Sequence, residues 1–162
     1  DPDAIVKYKL ETGKVEGFPG TKPISNAEVI ELGVDILYPA ALEGVITGAN
    51  ANNLKAKIVC ELANGPTTPD ADVILHGKGI TVLPDFMANA GGVTVSYFEQ
   101  VQNTYNYYWS LADVHQQLDR RMTDAFDAVY STREKAKVHM RLAAYMVAVT
   151  RVAEACKLRG WV

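Results

Sequence analysis

The sequence predicts an α/β fold built on a parallel sheet. Three observations carry that prediction. Short β-branched and apolar runs end in turn residues, capped helical stretches separate those runs, and after Pro84 the pattern changes to long helices. Strands that alternate with helices argue parallel pairing through right-handed crossovers, with the strands buried on both faces.

Taken in order, residues 2–12 read as a short helix stopped by Gly13. Ser25, followed three residues on by Glu28, is a capping-box pattern that opens a helix over Ala27–Leu32, with Gly33 closing it. The candidate strands are Asp35–Leu37 before YPAA, Lys57–Leu62 before ANGP, and Ile80–Leu83 before PDF. Residues 50–55 read as a helical turn, and Thr68 with Pro69 supplies the cap and first position of a helix to about Leu75. Asn89, Gly91 and Gly92 precede Val93–Asn103, read as a helix despite its early β-branched residues. Ser110 with Asp113 opens a long amphipathic helix to about Tyr130, and Glu134–Leu158 forms a second one ended by Gly160. In that last helix Val138, Leu142, Tyr145, Val149, Val152 and Cys156 recur at three- and four-residue steps, the spacing of one buried stripe. The aromatic stretch Thr104–Trp109 is the only soft boundary.

With 162 residues, 48% apolar and 22% charged, the chain is neither disordered nor of low complexity. Its length lets it bury roughly two thirds of its unfolded surface, so one domain without a metal or disulfide staple is the default. A formal charge of −3 argues against nucleic acid or an anionic membrane as the main partner. The balance is uneven: residues 1–110 carry 7 Lys and Arg against 13 Asp and Glu, whereas residues 111–162 carry 9 against 6. No 18-residue apolar run and no signal peptide are visible, which sets the expectation of a cytoplasmic chain. The first residue, Asp1, suggests processing or an upstream boundary. Cys60 and Cys156 sit inside apolar runs and are expected to be buried, reduced thiols.

In open parallel sheets, ligands bind beyond the carboxyl ends of the strands. Those ends deliver Ala40 and Ala41, then Ala63-Asn64-Gly65, and one turn later Asn89-Ala90-Gly91-Gly92. Small residues let a flat ligand approach the backbone, and a side-chain amide offers both a donor and an acceptor. The alternative is that Asn-Gly-Pro makes a turn and Gly-Gly starts a helix. If Asn89 caps that helix, Gly92, Val93 and Ser96 share its ligand-facing side, and Ser96 can donate to a carboxylate near the positive helix end. The competing reading of Ser96 is a bond to the backbone four residues back. No Lys or Arg lies between Lys78 and Arg120, so a cation for an acidic substrate must come from elsewhere. Glu61 and Asp85 are candidate acids or bases, although Asp after Pro is commonly a cap. His76, His115 and His139 show no partner pattern. There is no GxGxxG, phosphate loop, nucleophile elbow or zinc motif.

The segments PAALEGVIT (39–47), KAKIVCELANGPTTPDAD (55–72) and VLPDFMANAGGVTVSYFEQVQN (82–103) resemble glutamate dehydrogenases of the hexameric bacterial and archaeal type. GFPGTKPISN (17–26) and MRLAAYMVAVTRVAEACKLRGW (140–161) fit as well. Leucine, valine and phenylalanine dehydrogenases are less similar around ANGPTTP and NAGGVTVS, which leaves a branched-chain or aromatic amino-acid dehydrogenase as the alternative. The resemblance implies NAD- or NADP-dependent oxidative deamination of L-glutamate to 2-oxoglutarate and ammonia, through hydride transfer and an imino acid, in a homohexamer. It implies that Asn64 and Asn89 border the nicotinamide ribose and carboxamide, and that Ala40 and Ala41 line the cofactor's path. Val93 and Ser96 would meet the substrate, with no catalytic residue and no metal ligand in this chain. It further implies a C-terminal piece: the second half of a Rossmann-type sheet over residues 1–104, then a helical segment over 105–162. Such a piece would lack the substrate domain and Gly-rich turn, be inactive alone, bind dinucleotide weakly, and expose one sheet edge through which it could self-associate. The reading outside the enzyme class is a nucleotide-sensing or scaffolding module.

Overall fold

A computed structural model describes residues 1–161; the last position of the expected 105–162 segment lies outside the described residues. The elements run α1 (Pro2–Thr12), α2 (Asn26–Ile30), β1 (Ile36–Leu37), a 3-10 turn (Ala51–Asn53), β2 (Ile58–Cys60), α3 (Pro69–Gly77), β3 (Thr81–Leu83), α4 (Asp85–Ala88), α5 (Gly91–Tyr105), α6 (Leu111–Ala136) and α7 (Met140–Leu158). The α/β expectation holds. The strands form one parallel sheet in the order β1-β2-β3, with Leu37 opposite Val59 and Val59 opposite Val82.

Each strand is shorter than expected: β1 and β3 begin one residue late, at Ile36 and Thr81, and β2 loses Lys57 at its start and Glu61 and Leu62 at its carboxyl end, where the chain turns into the loop. Burial on both faces holds for the central strand only in part. Among the described residues β1 is an edge that pairs with β2, and Ile36 at that edge is exposed. Under the sheet, Ile46, Val59, Ala71 and Leu75 are fully buried in a core completed by Leu54, Ile80 and Val82. This burial makes α3 amphipathic in practice: Ala71 and Leu75, four residues apart, share its inner face.

The helix boundaries differ in several places; α5, for one, starts at Gly91 and runs to Tyr105 rather than spanning Val93–Asn103. α2 has both hydrogen bonds of the Ser25–Glu28 capping box but ends at Ile30, before Gly33 is reached. Asp85–Ala88 forms a one-turn helix that the Pro-Asp pair had suggested only as a turn. The long helix continues through Glu134 to Ala136 and stops where Lys137 takes a left-handed conformation, φ 55°, donating its N–H to the Arg133 carbonyl. Nothing interrupts the helix at Glu134: the run around it is made of good helix formers and has no cap. The true start is His139, whose ring accepts from the Leu142 N–H.

The α7 stripe is a correction of a different kind. Met140, Ala143 and Ala144 are the buried residues of this helix, packing with Met87 and Val129 in a second core cluster. Val149 and Val152 are 64% exposed, and Leu142 and Tyr145 also face outward. Two apolar periodicities share α7, and the sheet side took the one with smaller residues, because alanines let helix and sheet approach closely.

Candidate functional site

The loops beyond the strand ends are assembled by backbone bonds. The Leu62 and Ala63 N–H groups both donate to the Pro39 carbonyl, at 3.0 and 2.9 Å, which brings YPAA beside ANGP. Gly44 donates to the Gly65 carbonyl at 2.9 Å, and Ile46 to Pro66 at 2.9 Å, so the chain after β1 runs alongside the chain after β2. Gly65 has φ +58°, a left-handed conformation that suits glycine at the tip of this turn.

Asn64 and Asn89, 25 residues apart, meet directly. The Asn89 side-chain amide donates to Asn64 Oδ1 at 2.7 Å and weakly to the Leu62 carbonyl at 3.4 Å. Asn89 ends α4 rather than capping α5, whose cap position is Ala90. The consequence is chemical: the Asn64 amide N–H groups and Asn89 Oδ1 stay available as a donor and an acceptor side by side. Ala41, Asn64, Asn89 and Val93 line one open cleft of about 880 Å³, together with Glu43.

Ala40 and Ser96 are not among the residues lining that cleft. Ser96 lies one turn further along α5, on a separate depression shared with Glu99 and Asn103, and its hydroxyl donates to the Gly92 carbonyl at 3.2 Å. The backbone-bonding alternative for this serine is the arrangement present. Among the described residues no Lys or Arg lines the cleft.

Glu61 and Asp85 are committed elsewhere. Both bind Arg141 near the start of α7: Arg141 donates to Glu61 at 2.6 Å, to Asp72 at 2.5 Å and to Asp85 at 3.2 Å. Glu61 is fully buried and Asp72 is 4% exposed. Burial opposes the charge on Arg141, but hydrogen bonds to Glu61 and Asp72 outweigh it and hold the guanidinium above its ordinary pKa. Sequence reasoning missed Arg141 because 80 positions separate it from Glu61. The available signal was a Glu inside the apolar run KIVCELA, which demands a buried partner.

Two of the histidines, far apart in sequence, come together: His76 and His139 lie with ring centroids 5.7 Å apart and their planes tilted by 55°, and His139 Nδ1 lies 3.9 Å from Asp72. Cys60 and Cys156 are unpaired but half-buried rather than buried. Burial, and then the Glu61 charge beside it, push the Cys60 thiol up. Among the described residues no helix is long and apolar enough to cross a membrane.

Known proteins share this sequence and architecture. A profile of the Glutamate/Leucine/Phenylalanine/Valine dehydrogenases matches residues 1–160. The chain is 52% identical over 161 residues to an NAD-specific glutamate dehydrogenase of Clostridioides difficile, covering 99% of this chain and 38% of that protein. It is also 52% identical over 160 residues to a glutamate dehydrogenase of Thermotoga maritima, again covering 99% and 38%. The structure superposes on glutamate dehydrogenase from Peptoniphilus asaccharolyticus with TM-score 0.81 and 39% identity, over 100% of this chain and 36% of the other. On the hetero-hexameric glutamate dehydrogenase from Thermus thermophilus the TM-score is 0.88 at 31% identity, over 98% and 37%. The chain therefore spans little more than a third of the length of these relatives. With the motifs, the parallel sheet and the profile match in agreement from end to end, the chain belongs to the Glutamate/Leucine/Phenylalanine/Valine dehydrogenase family.

Proposed function

We propose that this chain supplies the nicotinamide side of the cofactor cleft of a glutamate dehydrogenase, which oxidatively deaminates L-glutamate to 2-oxoglutarate and ammonia. The observation that carries the reading is the Asn89–Asn64 bond of 2.7 Å at adjoining strand ends. A carboxamide needs one acceptor for its N–H and one donor for its oxygen; Asn89 Oδ1 and the Asn64 amide present that complement beside Ala41. The cleft's size and its small residues fit a dinucleotide's flat end, and NAD or NADP bound there would supply the hydride acceptor. Relatives named as NAD-specific support NAD as the first choice.

Residues 1–104 form the partial Rossmann-like domain in this reading, and 105–162 the helical segment directed to a substrate domain. Val93, 70% exposed at the cleft, and Ser96 beyond it face the substrate's side. Without a cleft cation the chain alone does not hold glutamate and does not turn it over. The parent assembly is a cytoplasmic homohexamer, a reading supported by the hetero-hexameric neighbour. In isolation, the free edge of β1 promotes self-association.

Calorimetric titration of the 162-residue chain with NAD and with NADP tests the assignment. Binding is expected to be weak, and Asn89→Ala is expected to weaken it by about 1 kcal/mol, roughly fivefold, the worth of one neutral hydrogen bond. Equal affinity in wild type and variant would sink the assignment, as would no heat at all. Reduction of NAD by glutamate on the chain alone would refute the predicted inactivity.

A further inference from the structure

We propose that Arg141 is a positioning residue for the Asn64–Asn89 pair, so that the start of α7 sets the geometry of the cofactor cleft. The proposal rests on the cofactor reading of that cleft. Arg141 sits in the first turn of α7, its side chain 16% exposed, and its guanidinium reaches three carboxylates. These come from three separate parts of the chain: Glu61 beyond β2, Asp72 on α3, and Asp85 beyond β3.

One guanidinium facing three carboxylates exceeds what charge balance requires. The surplus acceptor capacity goes to backbone. Glu61 Oε2 accepts the Asp85 N–H at 2.8 Å, and Asp85 Oδ2 accepts the Gly65 N–H at 2.8 Å. Gly65 follows Asn64 in the chain, and the Asp85 carbonyl accepts the Asn89 N–H at 2.9 Å across α4. Each Arg141 contact to Glu61 or Asp85 therefore continues, within one further hydrogen bond, to a residue that fixes one of the two asparagines. Met87 of α4 is also buried against Met140, Ala143 and Ala144 of α7, so the same helix supports the platform from below. Arg is suited to this because its planar fork holds several oxygens at fixed angles, which an ammonium cannot do.

The test uses Asp85→Asn in the ¹⁵N-labelled 162-residue chain. This change leaves Arg141 its bonds to Glu61 and Asp72 but gives Gly65 and Arg141 one amide in place of a carboxylate. Hydrogen exchange at the Gly65 amide is expected to rise roughly tenfold, the loss of a charge-assisted bond. The Asn89 side-chain amide resonance is expected to shift toward its solvent position, while the Ala143 and Ala144 amides stay unchanged. Arg141→Lys, which keeps the charge and loses the fork, is expected to give the same pattern and decides the role of Arg141, because Asp85→Asn also alters the Gly65 acceptor directly. Nicotinamide mononucleotide, titrated against the same samples, is expected to bind the variants about tenfold more weakly. Unaltered Gly65 and Asn89 signals in folded variants would overturn the proposal. If the unsubstituted chain shows no mononucleotide shifts, the cofactor reading falls, and the exchange data still decide the role of Arg141.

Discussion

Phe86 and Tyr145 face each other across α4 and α7, ring centroids 4.9 Å apart and tilted by 40°, although both remain partly exposed. Tyr145 thus joins an outward apolar stripe with Leu142, Val149 and Val152 to the edge of the second core. On this chain the outer stripe contributes little to folding. Val149→Ala is expected to change stability by less than about 0.5 kcal/mol. Met140→Ala, at a residue 3% exposed, is expected to cost about 2–5 kcal/mol. Urea melts of the two variants check this; a larger loss for Val149→Ala than for Met140→Ala would show that the wrong face of α7 had been assigned to the core.

The buried cluster around Arg141 predicts an asymmetric cost. Glu61→Gln leaves the guanidinium with one fewer charged partner in a site where Glu61 has no solvent contact. The expected loss is about 1–3 kcal/mol: Asp72 and Asp85 still pair the guanidinium, so what is lost is one charge-assisted hydrogen bond, with polar groups left poorly matched in a buried site. Denaturant unfolding measures it. A loss below about 1 kcal/mol would mean that water enters the cluster freely.

Acid sensitivity is expected at α2. The Ser25 N–H, then the Ser25 hydroxyl, donate to Glu28 and hold its carboxyl below the ordinary value. A depressed folded pKa means that the contribution is complete above the unfolded value and lost as pH falls through the folded one. A carboxyl-detected titration should therefore place Glu28 below a model glutamate, and Ser25→Ala should move it up. Because the variant keeps the backbone N–H, an unmoved midpoint in Ser25→Ala would show that the Ser25 hydroxyl does not contribute to holding this carboxyl down.

The local patterns of the chain determined its class, its strand sites and most helix starts. Caps such as Ser25–Glu28 and Ser110–Asp113, and short β-branched runs before turns, act through neighbours a few residues apart, so they can be read in one dimension. The same reading brought Ala41, Asn64, Asn89 and Val93 to one cleft, because parallel topology puts successive strand ends on one side of a sheet. Only tertiary structure decided which stripe of α7 is buried, since two faces of that helix satisfy the same period. It alone paired His76 with His139, turned Ser96 back onto Gly92, and withdrew Glu61 and Asp85 into the grip of Arg141. A charge buried beside one strand must find its partner wherever the fold supplies it, and that distance is set by packing rather than by spacing along the chain.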